Sequence, residues 1–468
     1  MKTSFFTALI LIFFSSLFAN ITNFVPPDYD FVILVDDPAT NYSLLKGVPL
    51  FSFVLGESGL GMEYVFDTML SDAEEKCKVK RDAFLESLSK DFLIASKGIT
   101  MDLNSLTSLD LNYYIDVLKN LGANTILVVQ SSSPTEFLNF LCSLLGVSIQ
   151  KDGDVYIMKD EYVTLFAAVK DEYVVLSGSK STAETSLSYY SSPGGGITEE
   201  ASGVLSRNAF IKGYFKGDSF KIEMGVEVKE NLKTDHFELV TRVENGKFVL
   251  RVDQFVEGDL EKPFEYIMSS EDMGEIPFMG NYFIGISARS SREAVEGITS
   301  WFSGKGGEVE KISEIVTTIV KGASGKIYII GDISAASEVT FAAIFRESKD
   351  NKEAITKVLE KYGAVEKDGQ FILNVGKGKV YFFWYAGRFV MSNVSKEEYS
   401  RYYERKKLLD DPTFNYLTSF IPYKEDISRA YLDMGNLMEK LTGIELKSKM
   451  LFFQTYERGK FIYIVEVM

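Results

Sequence analysis

The chain has 468 residues, 46% of them hydrophobic and 25% charged, a globular balance that excludes a mainly disordered chain. Its formal net charge of −16 repels phosphate backbones, so no nucleic acid is expected as a partner, and it disfavours docking on anionic lipid through a basic patch. One His and two Cys exclude the usual ligand sets of a zinc site.

The first residues read as an address. Lys2 supplies a short positive start, Phe5 to Phe18 is an uncharged and mostly apolar run, and Ala19 is a small residue suited to the position before cleavage. That is the three-part pattern of a secretory signal peptide over residues 1–19. Ile21, Phe24 and Val25 could lengthen the apolar run, so an uncleaved anchor stays open, and a membrane is expected as a partner only through that segment. Export lets Cys77 and Cys142 pair or remain as two free thiols.

Asp30 to Val35 reads as a strand, followed by an apolar helix through Leu44, Leu45 and Val48. A charged helix follows around Asp72 to Lys90, then a strand at Phe92 to Ala95. Thr125 to Val129 is a strand. Pro134 starts a helix carrying Phe137, Leu141 and Leu144, ended by Gly146. A turn at Lys151-Asp152-Gly153 leads to strands at Val155–Ile157, Val163–Val169 and Tyr173–Val175, and Ser179-Lys180 begins another helix. Phe220 to Val228 alternates apolar with other residues, the period of a strand with one buried face. Phe237, Leu239 and Val243 continue that pattern. Asn245-Gly246 predicts a hairpin turn, with Phe248, Leu250 and Val252 on the return strand.

The same order returns later in the chain. Tyr282 to Ile286 reads as a strand before a helix through Val295, Ile298 and Trp301, and Ile327 to Ile330 matches the strand at Phe92. Thr340 to Phe345 is a strand, and Ala354, Ile355, Val358 and Leu359 lie on a helix ended by Gly363. Lys367-Asp368-Gly369 is a turn, and strands follow at Phe371–Leu373, Val380–Trp384 and Phe389–Met391. Ser395-Lys396 begins a helix, and Glu457-Arg458-Gly459-Lys460 is the last hairpin turn. From Lys151 to Lys180 the spacing between copies is constant at about 216 residues. These observations predict an α+β fold, a tandem duplication of a unit with mainly antiparallel sheet and packed helices. The copies span 26–257 and 278–468, joined by an acidic linker over 258–277.

Phe389-Val390-Met391-Ser392, the helix start at Ser395-Lys396-Glu397 and Leu409-Asp410-Asp411-Pro412-Thr413-Phe414 resemble an uncharacterised family of exported bacterial proteins, labelled only as a domain of unknown function. The resemblance is clearest over about 340–425 and weaker in the first copy, where Leu205 to Phe210 lacks the Asp-Asp-Pro. It implies an envelope or secreted location and brings no activity, cofactor or site residue.

No residue is singled out as catalytic, cofactor-binding or metal-ligating. His236, beside a strand start, reads as a surface turn residue. Ser87-x-x-Lys90 and Ser177-x-x-Lys180 have the nucleophile spacing of penicillin-binding enzymes without the companion Lys-Thr-Gly. Gly322 to Lys326 resembles the end of a phosphate loop, but Val320 stands where its first Gly should be. Residues 191–196 read as a flexible connection, and Asp410-Asp411 as a helix start. The expected function is therefore a non-enzymatic exported binding or scaffold protein of the cell envelope, with an envelope or extracellular partner. A carrier of an apolar ligand and a carboxylate-dependent hydrolase are the alternatives. The carrier requires a cavity of roughly 300–1,000 Å³, whereas the scaffold reading predicts apolar side chains filling a tight core.

Overall fold

The strand and helix periods seen in the sequence resolve into an α+β fold built on antiparallel sheet. The computed structural model describes residues 21–102, 120–161, 164–190, 197–217, 220–223, 233–257, 274–287, 308–333, 339–347, 351–376, 378–419, 421, 423 and 426–468. The expected signal peptide, most of the acidic linker, residues 191–196 and the helix through Val295 and Trp301 lie outside them. The chain divides into two compact units. One comprises Met1–Gly47, Phe51–Gly246 and Leu250–Glu257, and the other comprises Val48–Leu50, Lys247–Val249 and Gly258–Met468.

In unit 1 a 3-10 turn at Ile21–Phe24 precedes β1 (Phe31–Val35), α1 (Pro38–Leu45), α2 (Pro49–Leu55), α3 (Met62–Cys77) and α4 (Asp82–Ser89). Then come β2 (Phe92–Ser96), β3 (Ile99–Asp102), β4 (Thr125–Gln130), α5 (Pro134–Leu145), β5 (Ser148–Asp152), β6 (Val155–Lys159), β7 (Thr164–Lys170) and β8 (Tyr173–Ser177). The unit continues with α6 (Lys180–Tyr190), α7 (Glu199–Leu205), β9 (Ile211–Lys216), β10 (Phe220–Glu223), β11 (Thr234–Glu244) and, from Leu250 on, β12 (Lys247–Val256). Antiparallel pairing sets the order β5-β6-β7-β8-β4-β2-β1-β9-β11.

Successive strand residues face opposite ways, so the sheet has two covered faces. Val129, Val174 and Leu176 meet α5 through Phe137, Leu138 and Phe140. Pro134 suits the first turn of α5, and Gly146 closes it at φ 72°, a left-handed conformation that a Cβ disfavours. Burying each of those Phe rings stabilises the unit by about 1.5–3 kcal/mol. Leu70 and Ala73 of α3 and Phe84 of α4 pack on the outer side of α5. On the other face, Val128 and Val175 join Leu93, Ala95, Phe24 and Leu205. Ile21, Phe24 and Val25 are therefore packed in this core. A separate two-stranded parallel pair, β3 with β10, holds what the structure describes of the alternating run from Phe220, since residues 224–232 lie outside the described residues.

Unit 2 contains β13 (Tyr282–Ser287), α8 (Glu308–Gly322), β14 (Ala323–Ile333), β15 (Val339–Glu347), α9 (Asn351–Lys361), β16 (Val365–Lys367), β17 (Gln370–Val375), β18 (Gly378–Tyr385) and β19 (Arg388–Ser392). It ends with α10 (Lys396–Arg405), α11 (Pro412–Ser419), β20 (Ser428–Leu432), α12 (Met434–Thr442), β21 (Met450–Glu457) and β22 (Lys460–Val467). Its order is β16-β17-β18-β19-β15-β14-β13-β20-β21-β22. Its first nine strands follow the same order, position for position, as the nine of unit 1. One face meets α8 and α9 through Ile319 and Leu359, and the other meets α10 and α11 through Tyr399 and Phe414. Ile276, at the end of the expected linker, is fully buried in that second core.

The register departs from a constant spacing by one residue. Ile126 faces Ser177 in unit 1, and Ala342 faces Ser392 in unit 2. Strand β19 therefore sits one residue earlier, relative to β15, than the spacing predicts. The extra residue lies between Ser392 and Ser395, so the helix starts at Ser179 and Ser395 recover the spacing.

Candidate functional site

Helices α1 and α3 leave most of their large apolar side chains exposed, and α4 leaves Leu85 exposed beside them. Helix α1 has no buried residue, and Leu44, expected on an apolar helix, is exposed. In α3 only Leu70 and Ala73 are buried. Tyr64 is 66% exposed and Phe66 44%, with Met62, Val65 and Met69 exposed beside them. The reason lies in the sequence of α3: its first half is apolar on several sides, and α5 can cover only one stripe. An exposed apolar patch of this kind marks an interaction or ligand site.

Between these helices lies a groove of about 700 Å³. Pro38, Ala39 and Tyr42 of α1 form one wall, Met62, Phe66 and Leu70 of α3 another, and Leu85 and Leu88 of α4 a third, with Leu55 of α2 completing it. Glu63 and Asp67 bring carboxylates to the lining. Tyr42 Oη donates to Glu63 Oε1 at 2.5 Å, and Lys46 Nζ donates to Glu63 Oε1 at 2.7 Å. Arg81 pairs with Asp67 at 2.5 Å. Burial, then the hydrogen bond and charge of Glu63, push the Tyr42 hydroxyl up to about 12. The hydrogen bonds from Lys46 and Tyr42 hold the Glu63 carboxyl below its ordinary value.

A hydrogen-bond cluster also fastens the start of α1 beside the sheet. Asp37, in a left-handed conformation at φ 41°, caps α1 by accepting from the Thr40 N–H at 3.3 Å. Its own N–H donates to Asp91 Oδ1 at 2.9 Å, just beyond α4. Asn41 Nδ2 donates to the Asp36 carbonyl at 2.9 Å, and Lys212 Nζ, nearly buried, donates to Asp36 Oδ2 at 2.7 Å. Burial raises the Asp91 carboxyl, and neighbouring Asp36 adds to that rise against the opposing Asp37 N–H and Lys212.

His236 is a correction. It is not a surface turn residue but sits buried on β11, stacked on Phe255 at 4.1 Å and on Tyr214 at 5.3 Å. Its Nδ1 lies 2.7 Å from Asp235 Oδ2. The buried face of β11 carries His236, Glu238 and Val240, not Phe237 and Leu239. Arg207 satisfies Glu238 at 2.7 Å, which makes burial of that polar face tolerable.

The Ser-x-x-Lys pairs do not come together. Ser87 donates to the Ala83 carbonyl, while Lys90 reaches Ser132 and Glu86. Ser177 Oγ accepts from the Ser179 N–H at 3.2 Å, while Lys180 pairs with Asp152 at 2.7 Å. Gly322 ends α8 and Lys326 lies in β14, so that stretch runs helix to strand, the reverse of a phosphate loop. Lys326 instead forms a buried ion pair with Asp426, which also binds Arg429 at 2.9 Å. Burial brings the Arg429 guanidinium down to about 10. Asp411 Oδ1 accepts from the Phe414 N–H at 2.9 Å, a cap for α11. Cys77 and Cys142 are free thiols, and burial pushes Cys142 up to about 11. Among the described residues no group of three or more His, Cys, Asp or Glu could hold a metal, and no helix is long and apolar enough to cross a membrane.

No family model matches the chain, and no curated protein matches it. Among solved structures, crystal form I of TP0453 is similar at a TM-score of 0.30, with 11% identity over 53% of this chain and 83% of that one. Crystal form III of the same protein is similar at 0.31, with 10% identity over 53% and 88%. At these scores the likeness carries no argument about function.

Proposed function

We propose that this chain is an exported, non-enzymatic binding protein that holds an apolar ligand in the groove of unit 1, on a body made of two copies of one unit. The groove carries the reading. It falls within the size range of small-molecule sites and is lined mainly by apolar side chains. A scaffold with filled cores has no use for it, since burying those side chains instead would be favourable. Export rests on Lys2, the apolar run to Phe18 and Ala19. The two copies rest on the shared strand order.

Native mass spectrometry of protein purified from its host tests the binding. A stoichiometric apolar adduct that leaves on denaturation is expected. The neutral dye Nile red should also bind saturably, and Phe66→Asp or Leu85→Asp should abolish that binding. Both side chains are exposed, so the variants should fold. Absence of an adduct, together with dye binding unchanged in both variants, overturns the reading.

A further inference from the structure

Every polar side chain in the groove's lining is already partnered within the protein. Lys46 holds Glu63 at 2.7 Å, and Tyr42 Oη donates to the same carboxylate. Arg81 holds Asp67 at 2.5 Å, and Ser89 Oγ donates to the Glu86 carbonyl at 2.7 Å. The Lys46 ammonium also lies over the Tyr42 ring, 5.9 Å from its centroid, so that aromatic face already has its cation. The rest of the lining is apolar and mostly aliphatic.

A head group that entered this lining would give up water and find no free partner there, which is unfavourable for a charge of either sign. Met62, Phe66 and Leu85 are exposed, so the groove opens to solvent and a head group can stay hydrated outside it. A hydrocarbon chain meets the opposite balance, since each methylene that leaves water is favourable.

Resting on the apolar-ligand reading, we propose that the groove binds the aliphatic chain of an amphiphile and leaves the head group in water, whatever its charge. The chain lies along Phe66, Leu70 and Leu88. The Lys46–Glu63 and Arg81–Asp67 pairs cancel the charge beside it.

Displacement of Nile red from the full chain tests this at about 150 mM salt, where the chain's net charge is screened beyond about 8 Å. The probes are dodecyltrimethylammonium, the uncharged glyceryl monolaurate and laurate, each below its micelle concentration. The three should bind within about threefold of one another. Lengthening the trimethylammonium probe from a decyl to a dodecyl chain should tighten it about two- to fourfold per methylene. Breaking one ion pair should create a preference. Glu63→Gln, which releases Lys46, should favour laurate, and Arg81→Gln, which releases Asp67, should favour the cation. A preference of the parent protein for either charge beyond about threefold, or a ratio of laurate to cation binding unmoved in both variants, overturns the chain-only assignment and leaves the apolar-ligand reading standing. Affinity that ignores chain length, or failure of all three probes to displace the dye, overturns both.

Discussion

Asp91 shows how one side chain ties the groove to the sheet. It leads into β2, receives the N–H of Asp37 at the start of α1, and lies against Asp36, which is held by Lys212. Burial and the neighbouring carboxylate raise its affinity for a proton in the folded state. The folded pKa therefore lies above the unfolded one. The stability that this difference contributes is fully present below the unfolded value and is lost as pH rises through the folded one. Asp91→Asn keeps an oxygen to accept from Asp37 and removes the charge. The variant should melt at a higher temperature than the parent near neutral pH and show no such gain below the carboxylate range. Thermal melts of both proteins across pH check this, and an equal gain at every pH would assign the effect to something other than ionisation.

At the scale of elements, turns were the most legible feature. Asn245-Gly246 and Arg458-Gly459 both adopt positive φ, at 53° and 74° and at 50° and 81°. Gly246→Ala and Gly459→Ala should each cost about 1 kcal/mol, because a Cβ is disfavoured in the left-handed region. Urea unfolding reads that loss, and unchanged midpoints would show that the turns do not depend on glycine. Helix ends at Gly146 and Gly363 were legible for the same reason. Faces were less so. Alternation along β11 placed Phe237 and Leu239 inside, yet His236 and Glu238 are the buried pair, because aromatic stacking and Arg207 satisfy them. Periodicity counts apolar residues and is blind to a polar face that finds partners. The groove was missed for a related reason. Leu44 and Leu45 were read as part of an apolar helix, and nothing in local sequence tells which apolar helix lacks a neighbour to cover it. The one signal was α3 itself, where Met62, Tyr64, Val65, Phe66 and Met69 exceed what a single buried stripe can use.

At the scale of the whole molecule, each unit carries its own apolar cores on the two faces of its sheet. Phe140 is fully buried against Phe84 in unit 1, and Phe414 is fully buried against Phe283 and Tyr431 in unit 2. Truncating either to Ala removes a large ring and leaves a cavity, a loss of about 3–5 kcal/mol. A unit large enough to hold its own core can unfold as its own cooperative step. Differential scanning calorimetry should therefore resolve two transitions. Phe140→Ala should lower one and leave the other in place, and Phe414→Ala should do the reverse. A saturating groove ligand should raise only the transition that Phe140→Ala lowers, since binding to one folded unit stabilises that unit by mass action. If both substitutions shift a single shared transition, the chain unfolds as one cooperative body and ligand binding in unit 1 would stabilise all of it.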